Sequence, residues 1–174
     1  MRNLALATGL ILIMSAGVAR AQTQPNPLDV VPDKMPFDIP YGAPIGADRA
    51  RAVINAAADE AKKHGWKLNI AIVDSGGNLV AFERMDGAQL ASIAISEHKA
   101  RTAVTFRRET KAIESGIQSG LNYLTTLDGV IGSRGGIPLV ENGTIIGAIG
   151  CSGGTGSQDE VGAKAGASLV NKGS

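Results

Sequence analysis

Leu68-Asn-Ile-Ala-Ile-Val-Asp74, Ser75-Gly-Gly-Asn78 and Leu79-Val-Ala-Phe-Glu83, taken in succession, decide the fold. An apolar, β-branched run, a polar glycine turn and a second such run read as a β-hairpin. Hairpins join antiparallel strands, whereas parallel neighbours need a long crossover. A second hairpin lies further on: Ile137–Val140, a turn at Glu141-Asn142-Gly143, then Thr144–Cys151. Helical spacing fills the rest. Ala50, Val53, Ile54, Ala57, Ala58 and Ala61 recur at that period between Gly46 and Lys63, with Asp48 near the start and Gly65 just past the end, as helix boundaries prefer. Further helices are expected over Gln89–Phe106, Glu109–Ser119 and, after the Gly/Ser loop Ser152–Ser157, Asp159–Asn171. The order α-ββ-αα-ββ-α predicts an α+β, profilin-like domain, a mostly antiparallel sheet flanked by helices on both faces. A doubly wound parallel sheet is the alternative.

The ends of the chain suggest export. Arg2 precedes the nearly uncharged apolar stretch Leu4–Val18, and Ala19-Arg20-Ala21 is a small-x-small cleavage site followed by Gln22. That order is the signature of a secretory signal peptide, and the stretch is shorter than the ~20 apolar residues of a spanning helix. The expected product is periplasmic or secreted, with no membrane span once residues 1–21 are removed. Residues 22–45 hold six of the seven prolines and read as an extended arm, draped on the domain or reaching a neighbour. Residues 46–174 then form one domain. With 17 basic against 16 acidic residues, net charge is +1, and removal of the leader takes Arg2 and Arg20 with it. Nothing in that balance points to nucleic acid. Aromatic residues make up 3% of the chain and glycines number 23, so the core is aliphatic and the turns are tight.

Cys151 is the one cysteine. It permits no intrachain disulfide, and its place at the end of an apolar strand makes it a small buried hydrophobe. No zinc-ligand spacing occurs, and no Gly-x-Ser-x-Gly elbow. His64, at a helix end, reads as structural, and Asn142-Gly-Thr144 reads as a hairpin turn. Chemistry concentrates on the helix carrying Ser96-Glu-His-Lys-Ala-Arg-Thr102. At 100° per residue, Ile93, Ser96, Ala100, Ala103 and Val104 share one face, while Ala91, Ile95, His98, Thr102 and Phe106 share the opposite one. The second face is either a ligand face, with one nitrogen donor, a hydroxyl and Lys99 and Arg101 beside them, or a helix or subunit contact. The loop Arg84-Met85-Asp86-Gly87 precedes this helix; Arg84 can bind a carboxylate bidentately and Met85 can line an apolar pocket, or Asp86 and Arg84 are a cap and its ion-pair partner. Ser133–Pro138 and Gly150–Ser157 are rich in backbone amides and suit either an anion or tight packing turns.

Jointly, Ile70-Ala-Ile-Val-Asp-Ser-Gly-Gly-Asn-Leu-Val80, Arg84-Met-Asp-Gly-Ala88, Ser96-Glu-His-Lys-Ala-Arg-Thr-Ala103, Gly135-Gly-Ile-Pro-Leu139 and Ile146-Gly-Ala-Ile-Gly-Cys-Ser-Gly-Gly154 resemble the GlcG/HbpS-like family, related to the C-terminal domain of PduO-type corrinoid adenosyltransferases. The likeness spans about residues 46–172. It implies a five-stranded antiparallel sheet between helices, with Leu127–Ser133 as the remaining place for a fifth strand, and a symmetric homo-oligomer. Some exported members bind haem and are linked to iron or redox sensing. Carried over, the resemblance points to Lys99 and Thr102, with His98 adjacent, and to His98 or Thr102 as the iron ligand. Ile95 and Phe106 would form the apolar wall, with Met85 also at the site and Lys99, Arg101 or Arg84 meeting the propionates. The leading expectation is an extracytoplasmic haem-binding protein that captures, buffers or senses haem. The rivals are a cofactor-independent enzyme on a small hydroxy- or oxo-acid, with Arg84 holding the carboxylate and His98 as base, and a non-catalytic accessory protein.

Overall fold

The computed structural model describes residues 29–171. Residues 29–34, exposed throughout, belong to a separate unit, and the domain below begins at Met35. The expected leader (1–21) and the first residues of the arm (22–28) lie outside the described residues.

Helix α1 (Ala47–Lys63) buries Ala50, Val53, Ile54, Ala57, Ala58 and Ala61, the residues its period names. Gly65, at φ 69°, ends it in the left-handed conformation that a glycine beyond a helix supplies. Strands β1 (Asn69–Asp74) and β2 (Leu79–Arg84) make the first hairpin. Asp74 Oδ1 accepts from the amides of Gly76 (2.8 Å) and Asn78 (2.9 Å), so the residue that ends the strand also folds the turn. After them come α2 (Ser92–Thr105), α3 (Thr110–Gln118) and a 3₁₀ turn at Asn122–Thr126. Strands β3 (Gly136–Glu141) and β4 (Thr144–Ser152) turn through Asn142 and Gly143, both at positive φ, as a two-residue hairpin loop prefers. Helix α4 (Gly156–Ala167) opens in a capping box between Thr155 and Gln158, three residues before its expected start.

The sheet order is β2-β1-β4-β3, antiparallel at every pair. The hairpins join through β1 and β4, from Asn69 opposite Ser152 to Asp74 opposite Gly147, which rules out the doubly wound alternative. Ile70, Ile72, Ile137, Leu139, Ile149 and Cys151 pack with α1 and α4. Val73, Ile145 and Ala148 pack with Ala100, Ala103 and Val104 of α2 on the other face. Each large aliphatic side chain so buried contributes about 1.5–3 kcal/mol. Close approach of α2 depends on two paired glycines, Gly136 and Gly150: a Cβ on Gly150 would meet the Ser96 carbonyl, and one on Gly136 the Lys99 carbonyl.

Among the described residues the sheet has four strands, not the expected five. Residues 127–133 are irregular, and the reason lies on α2. The Thr102 hydroxyl donates to the Gly129 carbonyl (2.8 Å) and accepts from the Ile131 amide (3.1 Å). Those two backbone groups therefore bind a side chain instead of a neighbouring strand. The arm supplies a short substitute: the Ile145 amide donates to Pro40 and its carbonyl accepts from Gly42, both at 2.8 Å. Tyr41 fastens it by donating from its hydroxyl to the carbonyls of Val104 (3.0 Å) and Thr105 (3.1 Å).

Candidate functional site

Helix α2 lies with Ser92, Ser96, Lys99, Ala100, Ala103 and Val104 buried. Lys99 is thus turned inward, 1% exposed. Its ammonium donates to Asp159 Oδ2 at 2.7 Å and to the Cys151 carbonyl at 3.2 Å. Gly135, at φ 114°, covers it so closely that a Cβ there would come within 3.2 Å of Nζ. Asp159 Oδ1 in turn accepts from the Gly154 amide at 3.0 Å. Burial pushes the Asp159 carboxyl up, against the pull of Lys99 and of the Gly153 and Gly154 amides. Burial likewise pushes the Cys151 thiol up, which makes it inert. The glycine-rich segments 133–138 and 150–157 therefore close around an internal ion pair. Lys99 is not available to a propionate: its charge is compensated and it has no path to solvent.

A shell of charge surrounds this pair. Arg134 binds Glu114 at 2.9 Å and Glu160 at 3.4 Å, and Glu160 also binds Lys111 at 2.9 Å and Lys164. The Arg134 guanidinium holds the Glu114 carboxyl below its usual range. Glu160 is also held low, because Lys164 and Lys111 outweigh its burial.

The face carrying His98, Thr102 and Phe106 is not one open surface. Thr102 is fully buried beneath residues 129–131, with its proton and a lone pair both engaged. His98 and Phe106, one turn to either side, are each half-buried. Towards the helix start the face stays open. Ala91 and Ala94 are exposed, Ile95 is half-buried, and Leu90 just before the helix is 70% exposed. These residues run at helical spacing up to His98, whose ring makes no hydrogen bond among the described residues. Arg101, three residues on, pairs among the described residues with the partly exposed Glu97, at 3.0 Å. The open part of α2 is therefore an apolar stripe ending in a free imidazole with a guanidinium beside it.

Arg84 and Met85 lie elsewhere. With Lys62, Glu83 and Asp86 they border a 310 Å³ hollow at the end of β2, of which His98 is not a lining residue. Met85 is fixed there, its amide bonded to the Leu68 carbonyl at 3.0 Å and its sulfur accepting from the Leu68 amide at 3.5 Å. An acid held by Arg84 with His98 as base thus has no shared cavity. His64 stacks on Trp66 at 4.3 Å and meets Glu60 at 3.2 Å. Among the described residues, no group of three or more His, Cys, Asp and Glu side chains gathers to hold a metal ion. No described helix is long and apolar enough to cross a membrane.

An antiparallel sheet with α1 and α4 on one face, and on the other a helix fastened by an internal lysine–aspartate pair, defines a distinct class of small α+β domain. The chain belongs to the HbpS-like family: residues 45–168 match the family described as "Haem degrading protein HbpS-like". It is 44% identical to protein GlcG of Escherichia coli strain K12 over 108 residues, 62% of this chain and 81% of that protein. A double mutant of HbpS from Streptomyces reticuli superposes with a TM-score of 0.69 at 26% identity, covering 82% of this chain and 97% of that one. A structure described as a PduOC:heme complex superposes at 0.67 with 27% identity, covering 74% and 96% respectively.

Proposed function

We propose that this protein binds haem on the outer face of α2, with His98 as the axial donor. One observation carries the reading: a half-buried imidazole with no hydrogen bond among the described residues ends the apolar stripe Ala91, Ala94, Ile95. The family description and the PduOC:heme complex support haem as the ligand class. The donor chemistry fits, since a neutral imidazole is a common proximal ligand of haem iron. Thr102 fits less well, because ligation would require it to release both the Gly129 carbonyl and the Ile131 amide. Lys99 does not fit a propionate; Arg101 does, since its exposed pair with Glu97 costs little to exchange. Bound haem supplies redox and ligand-binding chemistry. The chain orients the imidazole, offers an apolar bed and places one cation beside it. A single helix face covers one side of a flat ligand, so a second copy closing over it is part of the proposal. The signal-like order of residues 1–21 supports work outside the cytoplasm, as capture, buffering or sensing.

Hemin titration tests this. Wild-type protein should give a saturable Soret change; His98→Ala should shift the band and weaken binding, whereas Thr102→Val should leave the band in place. Arg101→Glu should weaken affinity without moving it. The absence of any saturable Soret change refutes haem binding, and a band altered by Thr102→Val alone transfers the ligand role from His98. Light scattering should return a multiple of one chain, and intact mass of the exported form should begin at Gln22.

A further inference from the structure

A second site lies on the opposite end of α2, where the chain turns into α3. A cavity of 180 Å³ is walled by Ile39 of the arm and Ile137, Pro138 and Val140 of β3, and Arg107 and Arg108 stand at its border. His98 is not among its lining residues. Among the described residues, Arg49, Arg51, Arg101 and Arg134 each pair with a carboxylate, while Arg84, Arg107 and Arg108 pair with none, and of these three Arg107 and Arg108 line this cavity. Both are nevertheless held in place. Arg108 lies 3.3 Å over the Phe37 ring and donates from Nε to the Phe106 carbonyl at 3.1 Å. Arg107 lies 5.4 Å from the Tyr41 ring centroid and donates to the Ile39 carbonyl at 3.4 Å. Arg107 also adopts a left-handed φ of 52°, which closes α2: its amide bonds the Val104 carbonyl at 3.3 Å and the Arg108 amide the Ala103 carbonyl at 3.2 Å. Burial lowers the Arg108 pKa, the mark of a cation short of a counter-charge. Asn171, also at the border, is already engaged, bonding the Val140 amide at 2.8 Å and the Pro138 carbonyl at 3.0 Å. It holds the apolar wall in place.

We propose that this cavity binds a small monocarboxylic acid with an apolar tail, its carboxylate on Arg107 and Arg108 and its tail against Ile137, Pro138 and Val140. Two guanidiniums without carboxylate partners give the anion its place. The walls select carbon over water. At about 30 Å³ per water, the volume takes on the order of six non-hydrogen atoms, which excludes a macrocycle. Glu109 also borders the cavity, and its charge opposes the anion, so removing it tightens binding. The proposal stands independently of the haem reading.

The test is an amide-resolved NMR titration of the full chain, without hemin, with butyrate, acetate and butyramide as probes. Butyrate should give saturable shifts centred on Arg107, Arg108 and Val140, acetate weaker ones and uncharged butyramide none. Arg107→Met and Arg108→Met should each weaken butyrate about ten-fold or more, the scale of one charge-assisted hydrogen bond. Glu109→Gln should tighten it about two- to five-fold, an effect that general loosening of the fold would not produce. The proposal is overturned if butyrate gives no saturable shifts, if butyramide binds as well, or if the arginine variants, shown folded by their spectra, keep wild-type affinity.

Discussion

Replacing Lys99 with methionine separates a surface lysine that meets a ligand from an internal one that holds the fold. The ammonium is 1% exposed, 2.7 Å from Asp159 Oδ2. Methionine fills a similar volume but leaves a buried carboxylate without its cation. Breaking a buried pair on one side costs about 3–5 kcal/mol, and a domain of this size loses about 2–4 °C per kcal/mol. The melting temperature of Lys99→Met should therefore fall by about 6–20 °C near neutral pH. The pH dependence carries a sign. Burial raises the Asp159 pKa in the folded chain, so its proton favours the fold below the unfolded value of about 3.9, and that advantage is lost as pH rises through the folded value. Lys99 opposes burial, and removing it raises the folded value further. The deficit should be largest at about pH 8 and shrink towards about pH 5 as Asp159 takes up its proton. Lys99→Met with Asp159→Leu should recover much of the loss, because removing both charges is far less harmful than orphaning one. Thermal melts of the three proteins at the two pH values measure all of this. A single mutant that melts like the wild type, or a deficit that grows in acid, refutes the inward pair.

Gly150→Ala would drive a methyl into the Ser96 carbonyl and the Ala100 amide of α2; a loss of about 1–3 kcal/mol in chemical denaturation is expected. Thr102→Val removes both bonds to the 129–131 segment. Hydrogen exchange there should quicken, with about 1–2 kcal/mol lost, while β1 and β4 keep their protection. Arg134→Met frees Glu114, whose carboxyl should titrate upward towards about 4.3 by NMR. A carboxylate held low stabilises the fold above its unfolded pKa and ceases to as pH falls through the folded one. The stability gap between wild type and Arg134→Met should therefore be present at neutral pH and narrow in acid.

Hairpins and helices were legible because local rules decide them. The α1 stripe was read residue by residue, and Asp74 with Asn78, like Asn142 with Gly143, spelled its own turn. The error at Leu127–Ser133 has a different origin. Its apolar residues suit a strand, but a single hydroxyl on a distant helix captures the backbone that a strand would need. No local pattern in 127–133 announces a partner about 30 residues upstream.

Lys99 shows how a charge can mislead even when the periodicity is sound. It lies three residues after Ser96 and four before Ala103, so helical geometry already placed it on the core side. Burying an ammonium there is costly unless a partner waits inside. Asp159 is that partner, and it comes from the first turn of the last helix, 60 residues away. The glycines on either side of the path carry the same message. Gly135 leaves room for the ammonium, and Gly136 and Gly150 let α2 approach the sheet closely. Of the two readings of these glycine segments, an anion site or tight packing turns, the structure has the second, and the space they leave is what an internal ion pair requires. The imidazole of His98, one residue before Lys99 and facing the other way, is left without a hydrogen bond among the described residues.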